Sequence, residues 1–195
     1  MRLVPVSVVV VVFLALVSGW HHPVAAQSRD LSRVRILAVA PFGDENPLSR
    51  PLAESGSARL SALLRGGRFQ IIDAGRTAEQ LRLQGAKATD LISPSRTVAL
   101  GAALGADAVL TGRVVQIFQE FTRERESGFT VEGRAVVDLR ILEVGTRLIL
   151  WQEEMACSVS AVAAVAMACL VRQVAARVSA LAAGDSPGPL AAGRD

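Results

Sequence analysis

The chain has 195 residues, with 21 Lys and Arg against 18 Asp and Glu, a net charge of +3, 51% hydrophobic residues and two cysteines. The charges are mixed along the chain and no basic block stands out, which argues against nucleic acid as a partner. The only histidines, His21 and His22, fall in a segment expected to be removed, and tyrosine is absent. The mature protein therefore lacks an imidazole base, proton shuttle or metal ligand.

Residues 1–26 read as a signal peptide. Arg2 supplies the positive start, residues 6–17 the apolar stretch, and Val24-Ala25-Ala26 the small residues before a cleavage site. No cysteine lies near that site, so no lipid anchor at a mature N-terminal cysteine is expected. Residues 27–183 have the length of a single domain, and residues 184–195, with Pro187, Gly188, Pro189 and Gly193, read as a flexible tail.

Within the domain, residues 34–40 form an apolar run suited to a buried strand, ended by Pro41. A loop over 42–50 carries Gly43, Asp44, Asn46 and Pro47, all turn formers. Residues 52–64 have helical spacing, 69–73 read as a short strand and 77–83 as a short helix. Ser93 and Pro94 open a further helix, and Gly105 closes it. A third strand is expected over 108–118, then a charged, solvated hairpin tip over 119–128. Residues 129–144 and 147–156 form a long antiparallel hairpin, joined by Gly145-Thr146 in a two-residue turn of the II′ type. Residues 160–182 make a final helix, with Val162, Ala166, Leu170, Val174, Val178 and Leu181 on one face and Arg172, Gln173 and Arg177 off it. Its uncharged portion is short for a membrane span and suits a helix buried against a sheet. The expected class is α/β, bordering on α+β: a three-layer-like mixed sheet of about five strands packed by helices.

The two cysteines, Cys157 near a strand end and Cys169 inside the last helix, are expected to lie too far apart for a disulfide and to remain buried thiols. No cofactor or metal motif is present. Gly101 and Gly105 belong to a helix and its end, not to a phosphate-binding loop. The cluster Asp44, Glu45 and Asn46, just beyond the first strand, sits where open α/β sheets gather ligands, although a solvated turn explains the same residues. Asp138 reads as facing outward from its strand, or as a buried carboxylate with an Arg partner. Trp151 either closes the sheet core or marks a partner surface.

Four segments carry a resemblance in the right order: VRILAVAPF at 34–42, FQIID at 69–73, LGADAVLTGRV at 104–114, and VVDLRILEV-GT at 136–146 followed by Leu148 to Trp151. Together they resemble the CsgG-like and TolB N-terminal-domain-like proteins of the bacterial envelope. Similar domains occur in curli-secretion proteins, flagellar accessory proteins and activators of cell-wall synthases. The resemblance implies a non-enzymatic periplasmic binding or assembly module. Its partners would be envelope proteins or further copies of itself, with a place at the periphery of the outer membrane. An oligomeric accessory subunit of a curli-type secretion assembly is the alternative, although the mixed charges of 118–129 do not suit a membrane-piercing hairpin. A hydrolase using carboxylates alone is a remote third reading, since nothing in the sequence places two acids in one cleft.

Overall fold

The computed structural model describes residues 31–124 and 128–184. The expected signal peptide at 1–26, and the tail beyond Gly184, lie outside the described residues. The elements run β1 (Ile36–Val39), α1 (Arg50–Leu64), β2 (Gln70–Ile72), α2 (Ala74–Leu83), a 3-10 turn (Ala88–Ile92), α3 (Pro94–Leu104), β3 (Ala108–Glu124), β4 (Gly128–Glu143), β5 (Ile149–Val159) and α4 (Ala163–Ala183).

The five strands form one sheet in the order β2-β1-β3-β4-β5. β1 pairs in parallel with β2 and β3, while β3, β4 and β5 pair antiparallel. The parallel pairs require crossovers, and the helices supply them. Alternation along β1 sends Leu37 and Val39 to one face, where they meet Ala53 and Leu60 of α1 and Leu170 and Val174 of α4. Ala38 and Ala40 face the opposite side and pack with Leu81, Leu91 and Leu100. The first layer covers the sheet broadly. The second lies over its parallel half, so the antiparallel half keeps a face carrying Arg113, Asp138, Gln152 and Glu154.

The local stop signals act as the sequence suggests. Gly105 ends α3 at φ 67°, and Pro94 opens it. Ser93, however, makes no side-chain cap to the helix backbone; its hydroxyl bonds that of Ser95. Asp107 of the LGAD segment has a structural job: its Oδ2 accepts from the backbone N–H of Arg35 at 2.8 Å and of Ile36 at 2.9 Å, tying the start of β1 to β3. These backbone donors hold its carboxyl below the ordinary value of 3.8.

Four expectations need correction. First, β3 continues to Glu124, so most of the expected charged tip is strand: residues 116–124 pair with 128–136, and beyond Gly133, where the pairing with β5 ends, β3 and β4 run on as a two-stranded ribbon. A bulge between Val114 and Gln116, opposite Val136 and Val137, shifts the register before the ribbon begins. Second, β4 and β5 are joined by a longer loop than two residues. A II′ turn would need Gly145 at positive φ, but it is Arg147 that adopts φ 63° there. Third, Arg177 is buried at 7% exposure. Its Nε donates to Glu153 Oε2 at 2.9 Å, and the same oxygen accepts from Trp151 Nε1 at 3.2 Å.

Fourth, Cys157 and Cys169 form a disulfide, with Cα atoms 6.1 Å apart. Distance along the chain misleads here, because a short link at 160–162 folds α4 straight back over β5. The second turn of the helix thus returns to the strand it has just left. Gly133 permits that close crossing: a Cβ there would lie 2.5 Å from the Ala161 carbonyl oxygen. α4 is long and apolar enough to cross a membrane, but half of its most apolar window is buried, and its inward face fills the main core.

Candidate functional site

The candidate site is built where β1 leaves the sheet. In a sheet of this order the chain crosses from β1 to β2 on one side and returns to β3 on the other, so a crevice opens beyond the carboxyl end of β1. Phe42 turns into the core there at 1% exposure. Its ring occupies the space left by Gly112, where a Cβ would lie 2.5 Å from Phe42 Cδ1. Gly43 keeps one rung of parallel pairing with β3: its N–H donates to Gly112 O at 2.8 Å, and its carbonyl accepts from Val114 N at 2.8 Å. Against its other side runs the 3-10 turn, with Ala88 O 3.1 Å from where a Cβ would stand.

Held on both sides, the chain presents Asp44 to the crevice. Asp44 Oδ1 accepts from Asn46 N at 2.9 Å, and Asn46 Oδ1 from Leu48 N at 3.0 Å, two successive side-chain-closed turns leading into α1. Asn46 O accepts from Arg50 N at 3.1 Å. Glu45 and Asn46 are exposed. Asp44 is not: it is 9% exposed, and its Oδ2 is closed to solvent without a hydrogen-bond partner. The simple solvated turn therefore describes Glu45 and Asn46 but not Asp44. A buried acceptor left unpaired costs about 1–3 kcal/mol, more when charged, which makes it rare in native proteins.

Three adjoining cavities meet at Thr89. The largest, about 480 Å³, is lined by Pro41, Phe42, Asp44, Glu45, Arg50, Glu54, Lys87, Ala88 and Thr89. A second of about 300 Å³ runs past Asn46 to Arg113 and Val115. A third, of about 190 Å³, reaches the uncovered sheet face at Thr111, Arg113, Asp138 and Arg140. On that face Asp138 stands opposite Arg113 across the β3–β4 pair and opposite Glu154 across the β4–β5 pair. Arg140 is half-buried and donates through its guanidinium to Leu91 O at 2.6 Å and Thr111 Oγ1 at 3.3 Å. Burial pulls its pKa below the ordinary guanidinium value; Asp138 opposes that shift and Arg113 adds to it.

Among the described residues no group of three or more His, Cys, Asp or Glu side chains is placed to hold a metal ion. Trp151 is fully buried, with 0% exposure, so it closes the core beneath β5 and presents no surface to a partner. Sequence reasoning missed Thr89, Lys87, Arg113 and Arg140 as crevice residues. They come from three separate segments, the start of the 3-10 turn, β3 and β4, and only the fold brings them together.

The family model described as peptidoglycan-synthase activator LpoB matches residues 57–157, just over half of the chain. The chain belongs to this family. The match runs from within α1 to within β5, so it contains β2, β3, β4 and the helices between them, but not β1, the loop that follows it or the start of α1. No curated protein matches the chain in sequence. Among solved structures, lipoprotein GNA1162 from Neisseria meningitidis is similar in fold, with a TM-score of 0.54 and 17% identity over 74% of this chain and 97% of that one. The PelC dodecamer from Paraburkholderia phytofirmans gives 0.51 and 17% over 79% and 94%.

Proposed function

We propose that this LpoB-family protein is an exported envelope module that binds a peptidoglycan synthase and raises its activity without catalysing a reaction itself. The observation that carries the reading is the half-covered sheet. The helices leave the β3–β4–β5 face open, and its polar rows, Thr111-Arg140-Gln152 and Arg113-Asp138-Glu154, run directly into the crevice beyond β1. A polar, rigid strand face with charges of both signs suits a regulatory protein contact, where charge complementarity sets the choice of partner. In this reading the leader at 1–26 delivers the domain to the periplasm, where it acts beside the outer membrane. The carboxylate-hydrolase alternative gains Asp44, Glu45 and Glu54 around one cavity, but Arg50 and Lys87 share that wall, and the family is one of activators.

The test uses the exported protein and the peptidoglycan synthase of the same organism. Wild type is expected to bind and to accelerate glycan polymerisation. The double charge reversal Arg113→Glu with Glu154→Arg is expected to weaken binding at least tenfold while leaving the circular dichroism spectrum unchanged. A wild-type protein that neither binds the synthase nor alters its rate overturns the reading.

A second reading, self-association, rests on a different surface. Phe121 (64% exposed), Val162 (45%) and Val165 (43%) lie where the ribbon passes the start of α4. That junction is held by Gln119 Oε1, which accepts from Ala163 N at 3.1 Å. Light scattering on the exported protein decides it: a monomer at high concentration, unchanged in Phe121→Ser, excludes that surface as a contact between copies.

A further inference from the structure

We propose that the cavity beyond β1 binds a cationic nitrogen group, a primary ammonium or guanidinium, with Asp44 Oδ2 as its acceptor. The inference deepens the reading above by naming the chemistry of one contact, and it rests on that reading only for where the cation comes from.

Asp44 is held in place before any ligand arrives. Its Oδ1 is engaged by Asn46 N, and its backbone follows Gly43, which is clamped between β3 and the 3-10 turn. The second carboxylate oxygen is buried and has no partner, while the side chain forms part of the wall of a cavity of about 480 Å³. A desolvated, unpaired carboxylate oxygen in a preorganised loop is a binding group in want of a donor.

The charge around it selects the donor. Glu45 and Glu54 on the same wall are balanced by Arg50 and Lys87, so Asp44 leaves the cavity with one net negative charge. An anion would be repelled at the base. A metal ion would need more converging ligands than the described residues bring together. An N–H donor with a positive charge meets both demands, because a charge-assisted bond is about twice as strong as a neutral one. Glu45 and Lys87 are exposed side chains that can swing aside to admit it.

One chemistry has two sources here, a free small amine or an Arg or Lys side chain of the synthase, and the experiment separates them. Amide chemical shifts of the exported protein are followed during titration with ethylguanidinium, ethylammonium and the neutral isostere N-ethylurea. The cations are expected to give saturable shifts at residues 43–46 and 87–89, at least tenfold stronger than N-ethylurea. Asp44→Asn, which keeps the acceptor for Asn46 N, is expected to abolish that difference. Equal responses to charged and neutral probes, or no saturable response to any probe, overturn the proposal and leave a water molecule as the partner of Oδ2. This comparison needs no variant, so it stands even if Asp44→Asn fails to fold. In the second arm, ethylguanidinium competing with the synthase assigns the cation to the synthase. Probe binding without competition assigns it to a small molecule. Failure of wild type to bind the synthase would sink the functional reading, yet leave the probe titration to decide this one.

Discussion

Single residues here are legible once their partners are known. Asp107 looks like any exposed acid in the sequence, yet it holds the backbone of β1 through two N–H groups. Its carboxyl is held below 3.8, chiefly by those two donors, and Asp73, the N-cap of α2, is lowered in the same way by Arg76 N and Arg65. For an acid whose folded pKa is depressed, the stabilisation is complete above the unfolded pKa and disappears as pH falls through the folded one. Stability should therefore be flat above about pH 5 and decline below pH 4. Asp107→Asn should remove part of that acid limb and cost about 1 kcal/mol, a modest figure because the site is exposed. Urea titrations of both proteins between pH 2.5 and 7 check it, and parallel curves would count against the assignment. Gly112 is the complementary case. It looks like a flexibility residue, but its missing side chain is filled by the Phe42 ring. Gly112→Ala should cost about 1–3 kcal/mol by overpacking. Because Phe42 precedes the Gly43–Asp44 turn, it should also shift the amide resonances of residues 43–46, which a two-dimensional spectrum reads directly.

At the scale of elements, the unit that matters is β5 with α4. Their short link turns the helix back over the strand, and three features fasten the pair: the close crossing at Gly133, the Glu153–Arg177 ion pair beneath Trp151, and the Cys157–Cys169 disulfide. Periodicity in the sequence identified the helix and its apolar face. It could not reveal that Arg177 is buried, because the charge is satisfied by a residue on another element. The same holds for the cysteines, whose twelve-residue separation is bridged by a reversal of the chain. A loop of this size closed by a disulfide is worth about 2–3 kcal/mol. Reduction, or the double change Cys157→Ala and Cys169→Ala, should lower Tm by about 5–10 °C. Calorimetry with and without reductant measures it, and an unchanged Tm would mean that the ion pair and core packing alone hold β5 to α4.

Across the whole molecule, stability and exposure divide along the sheet. The parallel half is buried between two helical layers. The β3–β4 ribbon beyond the Val114–Gln116 bulge has no such cover on its open face and carries Glu120, Phe121 and Glu132 into solvent. Backbone amides of β1 and of residues 108–114 should therefore exchange slowest, and those of residues 118–124 and 128–132 at least a hundredfold faster. Hydrogen exchange with residue resolution tests the gradient. Uniform protection would mean that the ribbon is covered in solution, as self-association through Phe121 would require.

Local chemistry was enough to mark the elements. The apolar run over 34–40, the Ser93-Pro94 start, the Gly105 stop and the alternation of residues 129–144 each act over a few neighbouring residues, so the sequence by itself determined a mixed α/β sheet packed by helices. The strand motifs likewise pointed to the envelope, and the loop at Asp44 was visible as a polar cluster beyond a strand. What only the tertiary structure decided is everything that depends on chain reversal and shared surfaces. It set how far β3 runs past the core, which face of the antiparallel half stays open, and that Trp151 is wholly inside. It joined the two cysteines and buried one carboxylate oxygen of Asp44 without a partner. Burial and pairing are properties of the neighbours a residue acquires from distant segments, and no spacing along the chain encodes them.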